Sequence, residues 1–304
     1  MKNKKIIIGS RGSKLALIYA ERAKDSLTKN EEVGSIEIKS ITTAGDTIKN
    51  VRVSEHGGKG LFCKTIEQEL IDGKIDIAVH ALKDMPTEET DSLLTNCFLE
   101  RNDPREILIT KNNKNLKDLA SNSIVGTSSF RREFQIKKMR EDLICRLIRG
   151  NVDTRIKKLN DDLYDAIILS SAGINSLGLT QKISQIFSTS EIIPSAGQGV
   201  VALQCRKNDK ELIALLKKIN HQKTYKCVKA ERSVLKILEG DCETAVGAFA
   251  KIDRNKISLE AELFSLDGKK RFYFKLSDEL DKAEELGIEM GKKLKKVSNN
   301  LYKK

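Results

Sequence analysis

Short β-branched runs alternate with helical patterns through the first 200 residues of the chain. Ile6–Ser10 precedes the amphipathic segment Ser13–Lys29, and the helical pattern Leu61–Asp72 precedes the apolar run Ile75–His80. Further runs of this kind, each predicted to be a strand, are Ser35–Thr42, Ser123–Thr127, Leu143–Ile148 and Ala166–Ser170. Strand–helix alternation favours parallel or mixed sheets covered by helices, so the predicted fold class is α/β with mixed sheets.

The pattern changes from Ala245 onward. Ala245–Ile252, Ile257–Leu266 and Arg271–Leu276 are typical of hairpin strands, and a long final helix is predicted from about Asp278. These elements indicate a small C-terminal α+β domain that begins near residue 218. A chain of 304 residues exceeds one ordinary core, which also favours several domains.

Composition narrows the classes of function. The chain is 39% hydrophobic and 32% charged, which is typical of a globular protein, and no apolar run approaches the roughly 18–20 residues that span a membrane. The N-terminal lysines precede only Ile6–Ile8 before Gly9, which is too short for the apolar part of a signal peptide. The net charge of +12 raises nucleic-acid binding as one alternative, but the lysines are dispersed and aromatic residues are 5%.

The cysteines and histidines show no metal-binding spacing. Six cysteines are scattered without a C-x-x-C pair, and His56, His80 and His221 are far apart. We therefore expect no metal site and reduced thiols, as in a cytoplasmic protein.

Arginine is concentrated between Gly126 and Arg155. The chain has 40 Lys and 15 Arg, yet these 30 residues contain six Arg and only two Lys. Unlike lysine, arginine offers a planar fork of donors that binds a carboxylate or phosphate through two bonds. The stretch therefore indicates a site for a small molecule with several negative charges.

Two predicted strands lead into helices through similar segments. Residues 9–12 (GSRG) precede a helix with Ser13 as its predicted N-cap, and residues 127–129 (TSS) precede one with Arg131 and Arg132 in its first turn. Free N–H groups at a helix N-terminus bind anions, whereas arginines there oppose the helix dipole unless an anion is present. Capping alone remains an alternative that explains the serines but not the arginines.

Three further segments carry possible chemistry. Asp84 follows the strand Ile75–His80, where ligands gather in open α/β sheets, although a capped turn is the simpler alternative. Cys242 lies in a polar loop (LEGDCE), unlike the other five cysteines, which favours it as a covalent attachment point. The Gly-rich stretch 44–60 is predicted to be a mobile loop over a site, or alternatively an inert surface excursion.

Nine motifs occur in the order found in porphobilinogen deaminases (hydroxymethylbilane synthases), which the chain resembles over nearly its whole length. They are S10-RGSKLA-16, G57-GKGLF-62, D76-IAVHALKDMP-86, R101-NDPR-105, G126-TSSFRR-132, R149-GNVDTR-155, D165-AIIL-169, P194-SAGQG-199 and L238-EGDC-242. Each motif alone is weak evidence, but the full ordered set is highly specific to this family.

The resemblance implies a domain organisation and a reaction. Residues 1–99 plus 200–217 would form lobe 1 and 100–199 lobe 2, both like the lobes of a periplasmic binding protein, with 218–304 as the cofactor-attachment domain. The enzyme would be a cytoplasmic, monomeric transferase of porphyrin and heme biosynthesis. It would condense four porphobilinogen molecules head to tail, with loss of ammonia, onto a dipyrromethane cofactor and release hydroxymethylbilane.

The resemblance also implies residue roles. Cys242 would hold the cofactor covalently, and Asp84 would be catalytic, bonding pyrrole N–H groups and stabilising a cationic intermediate. Each pyrrole carries acetate and propionate groups, which accounts for the arginines. By family position the cofactor-binding residues are Lys83, Thr127, Ser129, Arg131 and Arg132; the substrate-binding residues are Arg11, Ser13, Arg149, Arg155 and Gln198; and the lid residues are Gly57, Gly58, Lys59 and Phe62.

Four positions depart from the family pattern. Tyr19, Glu55, Ala81 and Ser176 replace frequent Gln, Lys, Ser and Arg, which leaves details of the carboxylate contacts open. The alternative function is a non-enzymatic two-lobed protein that binds an organic anion, but it gives Asp84 and Cys242 no task. Neither a nucleic-acid nor a membrane partner is expected.

Overall fold

The computed structural model describes residues 5–30, 33–47, 60–239 and 244–303. The chain divides into two compact units. Unit 1 comprises Met1–Ile48, Glu55–Asn102 and Gly199–Tyr225, and unit 2 comprises Lys49–Ser54, Asp103–Gln198 and Lys226–Lys304.

The strands of the described residues fall into three sheets. In chain order they are β1 Ile6–Arg11, β2 Ile36–Ile41, β3 Ile77–Ala81, β4 Leu93–Phe98, β5 Glu106–Thr110, β6 Ile124–Gly126, β7 Ile144–Arg146, β8 Ala166–Ser170, β9 Gln185–Ile186, β10 Val201–Arg206, β11 Val246–Asp253, β12 Lys256–Phe264 and β13 Arg271–Glu279. The helices are α1 Lys14–Thr28, α2 Ala44–Thr47, α3 Gly60–Ile71, α4 Phe130–Met139, α5 Val152–Asn160, α6 Ser171–Ser176, α7 Lys210–Ile219, α8 Gln222–Leu238 and α9 Ala283–Ser298.

Unit 1 contains a mixed sheet in the order β2-β1-β3-β10-β4. Strand β1 runs parallel to β2 and β3, while β10 runs antiparallel to β3 and β4. Apolar side chains on both faces of the sheet are buried: α1 and α7 cover one face, and α3 packs on the other through Ile66 and Leu70. Burial on both faces explains why β3 (IAVHA) is apolar except for His80.

Unit 2 contains a second mixed sheet and the C-terminal domain. The second sheet has the order β7-β6-β8-β5-β9, with β6 parallel to β7 and β8, and β5 antiparallel to β8 and β9. The C-terminal sheet β11-β12-β13 is antiparallel throughout, and α8 and α9 supply residues such as Val234 and Met290 to its core.

The fold class predicted from the sequence, α/β with mixed sheets and a C-terminal α+β domain, is confirmed. Several boundaries differ. The stretch predicted to be an irregular loop from residue 44 begins instead with α2, and most of the rest of that loop lies outside the described residues. The prediction of a helix from Asp278 is wrong, because β13 continues to Glu279 in full register with β12 and the final helix starts at Ala283.

Four strands, β4, β5, β9 and β10, were absent from the sequence prediction. β5 (EILIT) and β10 (VALQCR) are buried strands, and each runs antiparallel to the parallel strands beside it. Among the helices of the described residues, none combines the length and the apolar character needed to cross a membrane.

Candidate active site

A pocket in unit 1 opens at the carboxyl ends of β1 and β3. These parallel neighbours end at Arg11 and Ala81, so the segments that follow them meet at one edge of the sheet. The lining side chains are Arg11, Ser13, Leu15, Ala16, Tyr19, Phe62, Cys63, Val79, His80, Ala81 and Asp84. The pocket therefore brings together four of the predicted site residues (Arg11, Ser13, Phe62 and Asp84) and two of the positions that depart from the family pattern (Tyr19 and Ala81).

Arg11 and Ser13 are fixed by their local structure. The Arg11 guanidinium lies 4.2 Å from the centre of the Phe62 ring, a cation–π contact that orients the charge. Ser13 is the N-cap of α1, and its hydroxyl accepts a hydrogen bond from the Ala16 N–H at 3.3 Å. The pocket thus combines a guanidinium with the positive end of a helix, an arrangement that favours a carboxylate.

Asp84 lies on a short 3₁₀ turn, Leu82–Asp84, directly after β3. The buried side chains of Leu82 and Met85 anchor the turn, the Leu82 N–H donates to the Val200 carbonyl at 3.0 Å, and the Met85 N–H closes the turn onto the Leu82 carbonyl. The Cys63 thiol donates to the Asp84 carbonyl at 3.9 Å. These contacts hold the backbone on both sides of the carboxylate, which lines the pocket and can accept an N–H from a ligand.

In unit 2, Arg131 and Arg132 are buried in the first turn of α4. Their exposed fractions are 5% and 8%, and both bind the fully buried Glu106, at 2.5 Å from Arg131 Nη2 and 2.7 Å from Arg132 Nη2. Arg131 Nη1 also donates to the Ile193 carbonyl at 2.8 Å. Burial lowers the pKa of Arg131, and the Glu106 carboxylate acts in the opposite direction. The protein therefore supplies part of the counter-charge itself, and the cluster of Arg131, Arg132 and Glu106 retains one net positive charge.

Thr127 and Ser129 lie between β6 and α4. The Thr127 hydroxyl accepts the Ser129 N–H at 3.2 Å, and the Ser129 hydroxyl caps α4 by accepting the Arg132 N–H at 3.4 Å. A hydroxyl can donate one hydrogen bond as well as accept. Neither the Thr127 nor the Ser129 hydroxyl donates its proton to any residue in the described part of the chain.

Arg149 and Arg155 flank the start of α5. Gly150 between them adopts a φ of +115°, a backbone conformation that requires glycine, and its carbonyl accepts the Arg155 Nε–H at 2.8 Å. The Arg149 carbonyl accepts the Lys158 ammonium at 3.2 Å. Gln198, elsewhere in unit 2, is 1% exposed, and its amide donates to the Pro104 carbonyl at 2.7 Å.

Some predicted site residues lie outside the described part of the chain. These are Cys242, Gly57, Gly58 and Lys59, together with Glu55. The other five cysteines are free; four are buried, and Cys145 is half-buried. Burial raises the pKa of Cys97 to about 12 and that of Cys205 to about 11, so neither is a thiolate at neutral pH.

Sequence reasoning missed two polar residues of these clusters. Glu106 begins β5, and its sequence neighbours gave no sign that it would meet two arginines about 25 residues away. His80 was treated as a scattered histidine, yet it is the penultimate residue of the buried strand β3 and lines the pocket together with Asp84. Its position two residues before the turn Leu82–Asp84 could have indicated that it lies near Asp84.

Each unit thus presents guanidinium groups and helix N-termini suited to carboxylates, and unit 1 adds an acidic side chain in the same pocket. These features are those of an α/β protein with groups suited to anions and, in the pocket of unit 1, a carboxylate suited to N–H donors. Two family models cover most of the chain: "Porphobilinogen deaminase, dipyromethane cofactor binding domain" over residues 6–214, and "Porphobilinogen deaminase, C-terminal domain" over residues 225–296.

Curated relatives are similar over almost the full length. The porphobilinogen deaminase of Staphylococcus carnosus is 44% identical over 271 residues, covering 88% of each chain. That of Geobacillus sp. is 43% identical over 96% of this chain and 94% of the relative, and that of Alkaliphilus metalliredigens is 39% identical over 95% and 92%. The chain belongs to the porphobilinogen deaminase family.

Solved structures with partial similarity include the methionine-binding protein MetQ, with a TM-score of 0.45 at 13% identity over 73% of this chain and 90% of the other. A probable amino-acid transporter extracellular-binding protein of Bacillus subtilis has a TM-score of 0.44 at 15% identity, over 72% and 90%.

The residues present fit a dipyrromethane, the cofactor of this family. Arg132 Nε is buried and has no acceptor among the described residues, although both of its Nη groups are bonded. A buried donor of this kind needs an acceptor, and a cofactor carboxylate would supply one. The undonated hydroxyl protons of Thr127 and Ser129, in the segment that leads into the same helix, are further donors.

Proposed function

We propose that Asp84 is the catalytic carboxylate of this porphobilinogen deaminase and that Arg11 and Ser13 in the same pocket bind a carboxylate of its substrate. The observation that carries the proposal is the pocket at the ends of β1 and β3, which places Asp84 together with Arg11 and Ser13. The enzyme is a transferase of tetrapyrrole biosynthesis that condenses porphobilinogen molecules, with loss of ammonia, onto a dipyrromethane cofactor. The alternative of a non-enzymatic binding protein is not favoured.

The chemistry of Asp84 follows from its place in the pocket. Positive charge develops on the substrate pyrrole as ammonia leaves, and a fixed carboxylate that accepts the pyrrole N–H stabilises that charge. Arg11, held by the Phe62 ring, binds a carboxylate of the same molecule and thereby orients it. A charge-assisted bond of this kind contributes about 1.5–3 kcal/mol.

For the cofactor, we propose Cys242 as the covalent attachment point and Lys83, Thr127, Ser129, Arg131 and Arg132 as its binding residues. When bound, the dipyrromethane supplies the primer to which the substrate pyrroles are joined. The protein's part is to neutralise the cofactor carboxylates, and the net positive charge of the cluster formed by Arg131, Arg132 and Glu106 supports this role. Arg149, Arg155 and Gln198 are proposed as substrate contacts, with Gly57, Gly58, Lys59 and Phe62 as parts of a lid.

The finer organisation is also proposed. We propose two lobes (1–99 plus 200–217, and 100–199) and a C-terminal domain (218–304); that each of the three sheets lies within one of these ranges supports the division. A monomeric cytoplasmic enzyme is proposed, acting on a small molecule without nucleic-acid or membrane partners. Gel filtration with light scattering and cell fractionation test these points, and a stable dimer or a membrane-bound fraction would contradict them.

The role of Asp84 is tested by Asp84→Asn, with Asp91→Asn as the control. Asp91 is exposed on the turn before β4, so its substitution should leave turnover close to that of the unmodified enzyme. Asp84→Asn should keep the fold but nearly abolish turnover, because a neutral amide cannot stabilise developing positive charge. Turnover of Asp84→Asn equal to that of the control would refute the assignment.

The attachment point is tested by denaturing mass spectrometry. Protein from cells that make porphobilinogen should carry a mass excess of one dipyrromethane, which Cys242→Ser abolishes and the control Cys145→Ser retains. An unmodified native protein, or a Cys242→Ser protein that still carries the excess mass, would contradict the proposal.

A further inference from the structure

Three buried side chains form a hydrogen-bonded row that ends at the pocket. His80 on β3, Gln204 on β10 and Glu67 on α3 are 7%, 0% and 8% exposed. His80 Nε2 lies 3.2 Å from Gln204 Oε1, and Gln204 Nε2 lies 2.9 Å from Glu67 Oε1. The Thr90 hydroxyl donates to Glu67 Oε2 at 3.0 Å, which closes the far end of the row.

The row fixes which ring nitrogen of His80 carries the proton. Both oxygens of Glu67 accept hydrogen bonds, so the group of Gln204 that faces Glu67 must be its NH₂. The carbonyl of the same amide therefore faces His80, and a carbonyl can only accept. It follows that His80 Nε2 carries the proton and that Nδ1 of the neutral ring is an acceptor.

The surroundings keep the ring neutral. Burial lowers the pKa of His80 below its usual 6.5; Arg11 acts in the same direction, while Glu67, the bond to Gln204 and Asp84 act against it. His80 lines the pocket together with Asp84, and Nδ1 makes no hydrogen bond to any residue in the described ranges.

An unprotonated Nδ1 discriminates between ligand groups. It attracts an N–H and repels a carboxylate oxygen, whereas Arg11 in the same pocket does the reverse. The pocket therefore offers two kinds of partner: Asp84 and His80 are suited to N–H donors of a ligand, and Arg11 is suited to its carboxylates.

We propose that Gln204 and Glu67 hold His80 as the Nε2–H tautomer and that His80 Nδ1 accepts an N–H of the pyrrole bound at Asp84. His80 is then a second N–H acceptor of the substrate site, and Gln204 and Glu67 are positioning residues that act through it. This inference rests on the proposed function of the pocket, but its first element, the tautomer, is a property of the protein without substrate.

The tautomer is measured by ¹⁵N–¹H correlation NMR of protein labelled at histidine nitrogen. The chain has only three histidines, so comparison with a His80→Asn sample assigns the His80 signals. We expect the neutral Nε2–H pattern between about pH 6 and pH 8. In Gln204→Met, which removes the orienting amide at similar volume, the signals should shift toward a mixture of tautomers. A wild-type ring that is doubly protonated or protonated at Nδ1 overturns the proposal.

The acceptor role is measured with two variants, in each of which a side-chain amide replaces one of the two ring nitrogens. In His80→Asn the side-chain amide can reach the place of Nδ1, whereas in His80→Gln it can reach the place of Nε2 and keep the bond to Gln204. If Nδ1 binds substrate, His80→Gln should raise the KM for porphobilinogen about tenfold or more relative to His80→Asn, the size of one hydrogen bond lost from a binding site.

A purely structural His80 predicts the reverse order, since His80→Gln preserves the buried row. Equal or better substrate binding by His80→Gln therefore overturns the acceptor role. Circular dichroism shows whether each variant folds. If either does not, the test is the ¹⁵N chemical shift of His80 Nδ1 in wild-type protein before and after porphobilinogen is added. An upfield change supports the proposal, and no change overturns it. A failure of the proposed function would show separately, as an active Asp84→Asn or a protein without dipyrromethane.

Discussion

Glu106 should be the most important charged residue for the stability of unit 2. Its side chain is fully buried and bonds two guanidinium groups whose side chains are 6% and 9% exposed. In Glu106→Gln the shape is kept but the charge is lost, and the amide NH₂ then faces a guanidinium N–H. Two adjacent buried cations remain without their counter-ion.

The expected cost follows from this geometry. Removing one partner of a buried ion pair costs about 3–5 kcal/mol, because the remaining charge is left uncompensated. One kcal/mol lowers the Tm by about 2–4 °C for a domain of 150–250 residues, and unit 2 is of that size. Glu106→Gln should therefore lower the Tm by about 6–20 °C.

Thermal unfolding by circular dichroism measures the loss, and hydrogen exchange of peptides spanning α4 localises it. The control is Asp161→Asn, which breaks an exposed pair with Lys157 whose side chains are 46% and 74% exposed and should cost less than about 1 kcal/mol. In a double-mutant cycle, Arg131→Met should cost less in the Glu106→Gln background than alone. If Glu106→Gln costs no more than Asp161→Asn, the buried cluster does not depend on its carboxylate and the reasoning fails.

Three further outcomes are expected. Folding lowers the pKa of His80, so between the folded pKa and pH 6.5 the unfolded state binds more protons than the folded state. The contribution of His80 to the free energy of unfolding is therefore full above pH 6.5 and is lost as the pH falls toward the folded pKa. Urea unfolding measured across this pH range should lose that dependence in a His80→Asn variant. Gly150→Ala, at φ +115° and close to a neighbouring side chain, should lose about 1–3 kcal/mol by thermal unfolding, more than Gly73→Ala at φ +71° in open space. Phe62→Leu removes the ring under Arg11 and should raise the KM for porphobilinogen about two- to fivefold, with an unchanged KM counting against the contact.

The local part of the fold could be predicted from the sequence. Strand Ile6–Arg11 leading to a Ser-capped helix, and the segment before Phe130, follow from β-branched runs, glycine and capping residues that act within a few positions. The strands β5 and β10 could not be predicted in this way. Each pairs with strands that are distant in sequence, such as Val201 with Ala81, so the information lies in long-range packing and not in a local pattern.

The site residues also fall into those that local sequence indicates and those that depend on tertiary contacts. Local position indicated Arg11, Ser13 and Asp84 as candidates, because each lies near the end of a predicted strand or the start of a helix, and ends of parallel strands converge. Their roles came only from the family resemblance. Glu106 and His80 were not, because their importance depends on partners that the fold brings from elsewhere. What distinguishes Glu106 from an exposed carboxylate is its burial, and burial is a property of the tertiary fold.

The concentration of arginine between Gly126 and Arg155 has more than one physical cause. Arg140 donates to the carbonyls of Leu116, Lys117 and Leu119, and it also binds Asp142, so its fork holds a loop together within the protein. The property that makes arginine suitable for a carboxylate ligand, several rigid donors in one plane, makes it equally suitable for a cluster of backbone carbonyls. Arginine enrichment by itself therefore overestimates a binding site. Bonding within the protein separates the two cases: the buried Nε of Arg132 has no acceptor among the described residues, whereas each guanidinium nitrogen of Arg140 is already bonded.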